Sequence, residues 1–467
     1  TVEPQMHVDA GIRQLTYDQG LASLPPTLRN ITIEEVHGDL ADGNRGMVEY
    51  NDLLKRPVEA FKYLLATCEK STVAVPGQVI RLDTILLGSS NESYLTQFKQ
   101  TPDFGSFKGR FHFVRVPYLR NYLVEEKIYI DQVERQISDV EIAPHTTRIA
   151  ALWAVLTRLR KPDPAKFPKE LAEIIGKLGP MEKAELFAQG QVGGIFNVQE
   201  TLKVRGILDE LLDESSSDPI YEGVFGASPR EIKTILFNAA ERTDYPCLSP
   251  LAVISEIEKF SKDKATHKFL QIEPKGEYHN YTKFIEILRN KYRELSLKDV
   301  RKAVGLIEDD EFLRLLTDYL NHVSSDTQKQ KILNPITQKM EEPDARRMNE
   351  FENLAGISDD KRKTFREEAV RRVGAFRVDH PDKDLDLEGL FSAELRKARQ
   401  TYDQRHEKEI RRILESALNV LDDEQELSGR QQTPDVVNFI KQMREEFGHG
   451  TFSLREALAE CLRSKGD

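Results

Sequence analysis

Four stretches of this chain carry side chains whose types and order suit work on a phosphate. Asn44-Arg45-Gly46-Met47-Val48-Glu49-Tyr50-Asn51-Asp52-Leu53-Leu54 reads as a turn and a short strand that ends in Asn51 and the acid Asp52. Ligands of open parallel sheets bind beyond the carboxyl ends of the strands, so an acid at such a tip stands where chemistry happens. A second strand further on delivers Asn91 to the same edge. A polar residue on the strand beside an acid can position an attacking water against a γ-phosphate. Lys108-Gly109-Arg110 comes immediately before a third candidate strand. An arginine at a subunit boundary can neutralise charge developing on a neighbour's phosphate. Gly226-Ala227-Ser228-Pro229-Arg230 places an arginine in the first turn of a helix, where its charge opposes the macrodipole. Each residue alone has a plainer reading: Asp52 as a helix-start acid, Asn91 as a turn residue, Arg110 as a surface charge. Their order along the chain is what joins them.

These residues need strands and helices to hold them. Met47 to Tyr50 is a short strand, and Asp52 to Cys68 a helical run. Val79 to Leu87 is a second strand candidate ending at Gly88-Ser89-Ser90-Asn91, and Phe111 to Val116 an alternating third one stopped by Pro117. Strands separated by helices suggest a parallel α/β layer. Beyond Val124 the strand signals fade. Thr146 to Leu159 reads as an amphipathic helix, Gly190 to Gly194 as a loop, Val198 to Leu212 as a helix, and Glu214 to Pro219 as an exposed linker. Pro229 to Ala240 has Ser228 as N-cap and proline in its first turn. From Tyr281 onward helix follows helix: Lys298–Gly305, Glu311–His322, Lys361–Val373, Leu387–Val420 and Pro434–Phe447 carry apolar residues at three- and four-residue spacing. Phe452-Ser453-Leu454-Arg455-Glu456 reads as a capped final helix.

Composition narrows the function classes. The 467 residues carry a net charge of −11, which argues against nucleic acid as the main partner. Lys361-Arg362-Lys363 and Arg371-Arg372 sit among acids and read as solvated helix faces. Cys68, Cys247 and Cys461 are far apart with no CxxC spacing, so no zinc or other metal site is expected and a reducing, cytoplasmic setting is. No apolar run is long enough to span a bilayer, and no signal peptide is visible. The chain has no GxxxxGK[ST], GxGxxG, HRD, GxSxG or HExxH pattern, so it has no P-loop of its own and no visible eukaryotic-type kinase domain. It starts at Thr1 rather than Met, and a missing N-terminal piece is expected.

The stretches Gly38-Asp39-Leu40 to Tyr50, Gly88-Ser89-Ser90-Asn91-Glu92-Ser93, Gly109-Arg110-Phe111-His112-Phe113-Val114-Arg115-Val116-Pro117-Tyr118, Ala143-Pro144-His145-Thr146-Thr147-Arg148 and Lys183-Ala184-Glu185-Leu186-Phe187 together resemble the AAA core of the PrkA family. Gly226 to Arg230 is similar to the sensor-2 motif of the MoxR branch of AAA+ proteins. The resemblance implies that Asn51-Asp52 stands at the Walker B acid pair, with Asp52 as the water-activating carboxylate. Asn51 departs from the usual metal-associated Asp. By the same resemblance Asn91 is sensor 1, Arg110 the arginine finger, Arg230 sensor 2, and Arg148 a second candidate for nucleotide contact, with ATP and Mg²⁺ as cofactors. Family members carry their Walker A loop upstream of the matched region.

The expected architecture is a partial α/β AAA+ core with a parallel sheet (1–124), a helical lid bearing sensor 2 (125–262) and an all-α C-terminal region (263–467), predominantly helical overall. The resemblance implies an ATP-dependent serine protein kinase acting on a protein substrate, a homo-oligomer because AAA+ sites lie between subunits, and a role in sporulation or stress. An AAA+ remodelling or protease-like machine and a non-enzymatic nucleotide-gated scaffold are the alternatives; the second suits Asn51.

Overall fold

The computed structural model describes residues 10–14, 34–75, 77–137, 140–190, 196, 200, 203–204, 206–217, 222–306, 309–333, 340–379, 385–423 and 434–463. The chain divides into two units, Thr1–Val116 and Pro117–Asp467.

The first unit mixes short strands and helices. Strands β1 (Gly11–Gln14) and β2 (Glu34–His37) pair antiparallel. Helix α1 (Asp39–Asp42) leads into β3 (Met47–Tyr50). Val48 and Tyr50 are buried while Met47 and Glu49 are half-buried, the period of two of a strand with one face on a core. The expected continuous helix from Asp52 to Cys68 is instead three pieces: a 3-10 turn (Leu53–Lys55), α2 (Val58–Phe61) and α3 (Leu64–Lys70). Pro57 has no N–H to continue the ladder and holds an extended backbone (ψ 146).

The expected strand Val79–Leu87 is also two elements. β4 (Thr72–Val75) and β5 (Gln78–Arg81) form an antiparallel hairpin, and β6 (Ile85–Gly88) leaves it to pair in parallel with β3. The switch falls at Asp83, whose N–H donates to Asn44 Oδ1 at 2.8 Å and whose carbonyl accepts from Arg45 N at 2.7 Å. With both backbone groups of Asp83 taken by the 44–45 turn, the strand changes partner there. Helices α4 (Glu92–Phe98) and α5 (Phe104–Lys108) close the unit over edge-on contacts among Phe61, Phe98 and Phe107. The third expected strand does not form: 111–116 makes no ladder, and Phe113, Val114 and Val116 are exposed. Alternating apolar residues favour a strand only where a strand edge offers hydrogen bonds, and no described edge meets this segment.

The second unit is predominantly helical. In order it holds α6 (Tyr122–Gln132), α7 (Thr146–Arg158), α8 (Lys169–Gly176), α9 (Pro180–Gln189), α10 (Leu208–Ser217), α11 (Pro229–Ala240), α12 (Pro250–Phe260), α13 (Tyr281–Ala303) and α14 (Asp309–Gln328). A small hairpin, β7 (Ile332–Leu333) and β8 (Met340–Glu341), precedes α15 (Ala345–Leu354), α16 (Arg362–Asp379), α17 (Leu387–Leu390), α18 (Ser392–Asp423), α19 (Pro434–Glu445) and α20 (Thr451–Arg463). Glu214 to Ser217, expected in a linker, belong to α10; Asp218-Pro219 and 191–194 lie outside the described residues.

Helix α7 is the centre of this unit. Its sequence reads as amphipathic, yet every residue except Arg148 is buried. Its polar positions are tolerated because each finds a partner, as Thr146 does with the Ala143 carbonyl and Thr147 with Glu134. Around it pack Ile232 and Leu236 of α11, Val253 and Ile257 of α12, and Phe284, Leu288 and Tyr292 of α13. The far end of α13 gives Val300 and Ala303 to a second core with α18, α19 and α20. A third core joins α14 and α15 to Ala369 of α16, Phe391 and the start of α18. The N-terminus of α20 is completed from a distance: Glu141 accepts from Ser453 N at 2.9 Å. The clustered cations of α16 are largely spoken for, since Arg362 and Arg366 meet Glu352 and Arg372 meets Glu368 and Glu394.

Trp153 is the chain's single tryptophan and lies fully buried in the first core, so its fluorescence reports unfolding there. Leu288→Ala removes a fully buried side chain from the same core and lowers stability by about 2–5 kcal/mol; the urea midpoint of Trp153 fluorescence falls accordingly.

Candidate functional site

The parallel ladder of β3 and β6 sets the site. Its register pairs Met47 with Ile85 and Tyr50 with Gly88. Parallel pairing brings the carboxyl ends of both strands to one edge, so Asn51-Asp52 and Ser89-Ser90-Asn91 emerge side by side. Ser89 N donates to the Tyr50 carbonyl at 3.0 Å and Leu53 N to the Ser89 carbonyl at 2.9 Å, extending the ladder past the strand ends. Ser89 Oγ accepts from Asp52 N and donates to Asn51 Oδ1, both at 3.3 Å. Ser89 is thus the tie between the two tips. Nothing in the sequence next to Ser89 marks it for this role, because its partners lie far away in the chain.

Asp52 sits in the left-handed region (φ 51, ψ 40), one that aspartate and asparagine enter more readily than other side chains. Its carboxylate is half-exposed and meets Lys55 Nζ at 2.6 Å. Asn91 is the N-cap residue of α4 with extended backbone (ψ 146), and its exposed side chain makes no cap bond. The structure therefore gathers Asn51, Asp52 and Asn91 on one edge, with one carboxylate, two carboxamides and the Ser89 hydroxyl.

Arg110 belongs to the same unit but is engaged elsewhere. Its guanidinium grips Glu69 through Nη2 at 2.6 Å and Nε at 3.0 Å and donates Nη1 to the Ser106 carbonyl. The hydrogen bond and charge of Arg110 hold the Glu69 carboxyl below its usual range. The tripeptide Asp103-Phe104-Gly105 has the letters of a kinase metal-binding triplet, but it starts α5: Asp103 pairs with Lys62 at 3.1 Å and Phe104 packs on Phe98.

The remaining candidates lie in the second unit. Arg148, in the first turns of α7, is paired with Glu126 through Nε at 3.1 Å. Arg230 is in the first turn of α11, exposed, and its guanidinium meets no partner among the described residues. A capping box starts that helix: Ser228 Oγ accepts from Glu231 N, and Glu231 accepts from Ser228 N at 2.6 Å. The α11 start is anchored at the carboxyl end of α7, where Arg158 binds the Ala227 carbonyl. Arg148 is ten residues back, about 15 Å along the helix, so the two arginines stand apart. His145, in the left-handed N-cap of α7, bonds Asp299 at 2.6 Å. Among the described residues no group of three or more His, Cys, Asp or Glu could cage a metal, and no helix is long and apolar enough to cross a membrane.

Two family descriptions match this chain. The PrkA AAA domain matches residues 30–166, and the PrkA serine protein kinase C-terminal domain matches residues 181–459. Among curated proteins, the chain is 27% identical over 341 residues to "ATP-dependent protease PrkA" of Bacillus subtilis (strain 168), which covers 73% of this chain and 49% of that protein. It is 29% identical over 129 residues to "Serine/threonine kinase YeaG" of Escherichia coli (strain K12), covering 27% of this chain and 20% of that protein. The chain spans about half the length of the first of these relatives, and less of the second. No solved structure matches the chain. With one domain description covering the site and the other most of the helical region, the chain belongs to the PrkA family and carries its AAA-type domain.

Proposed function

We propose that this chain forms part of an ATP-hydrolysing module in which Asp52 activates the attacking water and Asn91 orients it. The observation that carries this is the parallel ladder that delivers both residues to one strand edge beside each other. Arg110 and Arg230 are the cations of the reading: Arg110 reaches a neighbouring subunit's nucleotide in a homo-oligomer once Glu69 releases it, and Arg230 meets the phosphates of its own nucleotide. Arg148, held by Glu126, is the less available contact.

Magnesium fits as an ion brought by the nucleotide. It favours one or two carboxylates, waters and phosphate oxygens over an all-protein cage. The edge offers one carboxylate, Asp52, with Asn51 in place of a second acid. When bound, the ion would neutralise phosphate charge; Asp52 and the Asn51 carbonyl oxygen are the groups that would hold it. The phosphate-cradling loop needed by this reading is not encoded in the chain, which has no GxxxxGK[ST].

Transfer of the γ-phosphate to a serine of a protein substrate is the proposed outcome, supported by the wording of the C-terminal family description. A second reading, an ATP-driven remodelling or protease-like machine, draws on the name of the Bacillus subtilis relative and on the unengaged Arg230. Incubating the full-length protein with γ-labelled ATP and a cell extract separates them: label on serine supports the first, and ATP consumption without labelled protein the second. Asp52→Asn keeps both the shape and the tolerance of the left-handed backbone. It abolishes ATP turnover in the full-length protein without changing the circular dichroism spectrum; undiminished turnover would remove Asp52 from the mechanism.

The Glu69–Arg110 pair yields a pH prediction. Because Arg110 lowers the carboxyl's pKa in the folded state, the pair's contribution is complete above the ordinary glutamate value and is lost as pH falls through the lower folded value. Carboxyl NMR places the Glu69 midpoint below that of an unpaired glutamate, and Arg110→Ala returns it to the ordinary range.

A further inference from the structure

The segment 222–228, which leads into the helix bearing Arg230, is held at more points than any role as a connecting turn requires. Glu222 is buried and accepts from Lys183 Nζ and from Arg160 N, each at 2.6 Å. The Gly223 carbonyl accepts from Tyr118 N at 2.9 Å. Ala227 has both backbone groups taken by consecutive residues of α7. Its N–H donates to Thr157 Oγ1 at 2.9 Å, and its carbonyl accepts from Arg158 Nη2 at 2.6 Å and Nε at 3.0 Å. Gly226 lies at φ +135, and a Cβ there would run into the Arg158 side chain, so only glycine lets the segment lie this close.

Arg158 itself is anchored on all sides. Its guanidinium makes a bidentate pair with Glu125 at 2.8 and 3.0 Å, donates to the Leu119 carbonyl at 2.9 Å and lies over the Tyr118 ring. Three residues beyond Ala227, Arg230 is exposed and its guanidinium is without a partner among the described residues. It also sits at the positive end of a helix, where a cation is disfavoured until an anion arrives. A helix start clamped this firmly, beneath one unengaged cation, is the arrangement that fixes a ligand-contacting side chain.

We propose that Thr157 and Arg158 are positioning residues for Arg230: by holding Ala227 they fix where the α11 start presents its guanidinium to nucleotide phosphates. The proposal rests on the reading of Arg230 as a nucleotide contact. Neither Thr157 nor Arg158 touches the nucleotide; both act through the Ala227 backbone. A misplacement of about 1 Å in such a group can cost on the order of a hundredfold in function.

A double-mutant cycle separates positioning from general support of the fold. Full-length protein is titrated with a fluorescent, slowly hydrolysed ATP analogue in four forms: unchanged, Thr157→Val, Arg230→Ala and the two combined. Thr157→Val removes the hydroxyl that receives Ala227 N–H and weakens binding about five- to tenfold, the worth of one buried hydrogen bond. In the Arg230→Ala background the same change has less than about a twofold effect. Thr157→Ser, which keeps the hydroxyl, restores binding. Should Thr157→Val fail to fold, Arg158→Lys takes its place in the cycle, keeping the charge opposite Glu125 but losing the planar fork. An equal loss with and without Arg230 overturns the positioning role and leaves Arg230 as a contact. Unchanged affinity in Arg230→Ala alone overturns the nucleotide role of Arg230, and the proposal with it.

Discussion

Arg158 is a full positive charge with no exposed side-chain surface, and the second unit is arranged so that this charge is tolerated. Desolvating a guanidinium costs several kcal/mol, repaid only when every donor finds an acceptor of good geometry. Here Glu125 supplies two oxygens, and the Ala227 and Leu119 carbonyls supply the rest. Glu125 is in turn held by Tyr129, whose hydroxyl is pushed well above its ordinary pKa by burial and by the Glu125 charge, and so remains a donor. Breaking a buried pair of this kind costs on the order of 3–5 kcal/mol, because the surviving charge is stranded. Four separate segments, 117–119, α6, α7 and 226–228, are therefore committed to one mutual arrangement.

The first unit solves its positioning problem with backbone rather than charge. Two four-residue strands are a small ladder, and a parallel pair needs its side chains covered to persist. Val48 and Tyr50 are covered by Phe61, Leu64 and Phe98, while Ile85 and Leu87 of the other strand remain exposed. What keeps the strand tips in register is the run of bonds beyond the strands, in which Ser89 serves both backbone and side chain of the Asn51-Asp52 pair. The acid is thus placed by hydrogen bonds, and among the described residues Lys55, in the turn that follows, is its charge partner.

Features that depend on local chemistry were legible in the sequence. Pro229–Ala240 is helical over its full expected length because Ser228, Pro229 and Glu231 write the start signal in adjacent residues. Met47–Tyr50 was readable for the same reason, since period and punctuation lie within the segment. The meeting of Asp52 with Asn91 was readable only from the order of the two strands, because the pairing that makes it is long-range. Apart from the break of the expected Asp52–Cys68 helix at Pro57, which is local, the main departures are long-range. Val79–Leu87 splits because Asn44 and Arg45 claim the backbone of Asp83. The 111–116 segment has the side chains of a strand and no partner edge among the described residues. Helix α7 reads as amphipathic because Arg148, Thr157 and Arg158 are polar, and only the fold reveals that two of the three are buried against acceptors from residues 119, 125, 154 and 227. Ser89, Thr157 and Arg158 could not be singled out, since nothing next to them in sequence announces what they bind.

The two arginines of the functional reading illustrate opposite states of readiness. Arg110 holds one oxygen of Glu69 through two of its N–H groups, so any phosphate that recruits it must compete with a carboxylate already bound; that competition makes its engagement conditional. Arg230 has no such competitor among the described residues and sits on a helix start whose position is fixed from behind. A cation that is free but precisely mounted loses little freedom when an anion arrives, and preorganisation of that kind raises affinity by lowering the ordering cost. A cation held by another acid responds only to a stronger field, such as that of a triphosphate presented by a neighbouring molecule. In the proposed function this asymmetry assigns Arg230 to the nucleotide of its own chain and Arg110 to that of an apposed subunit.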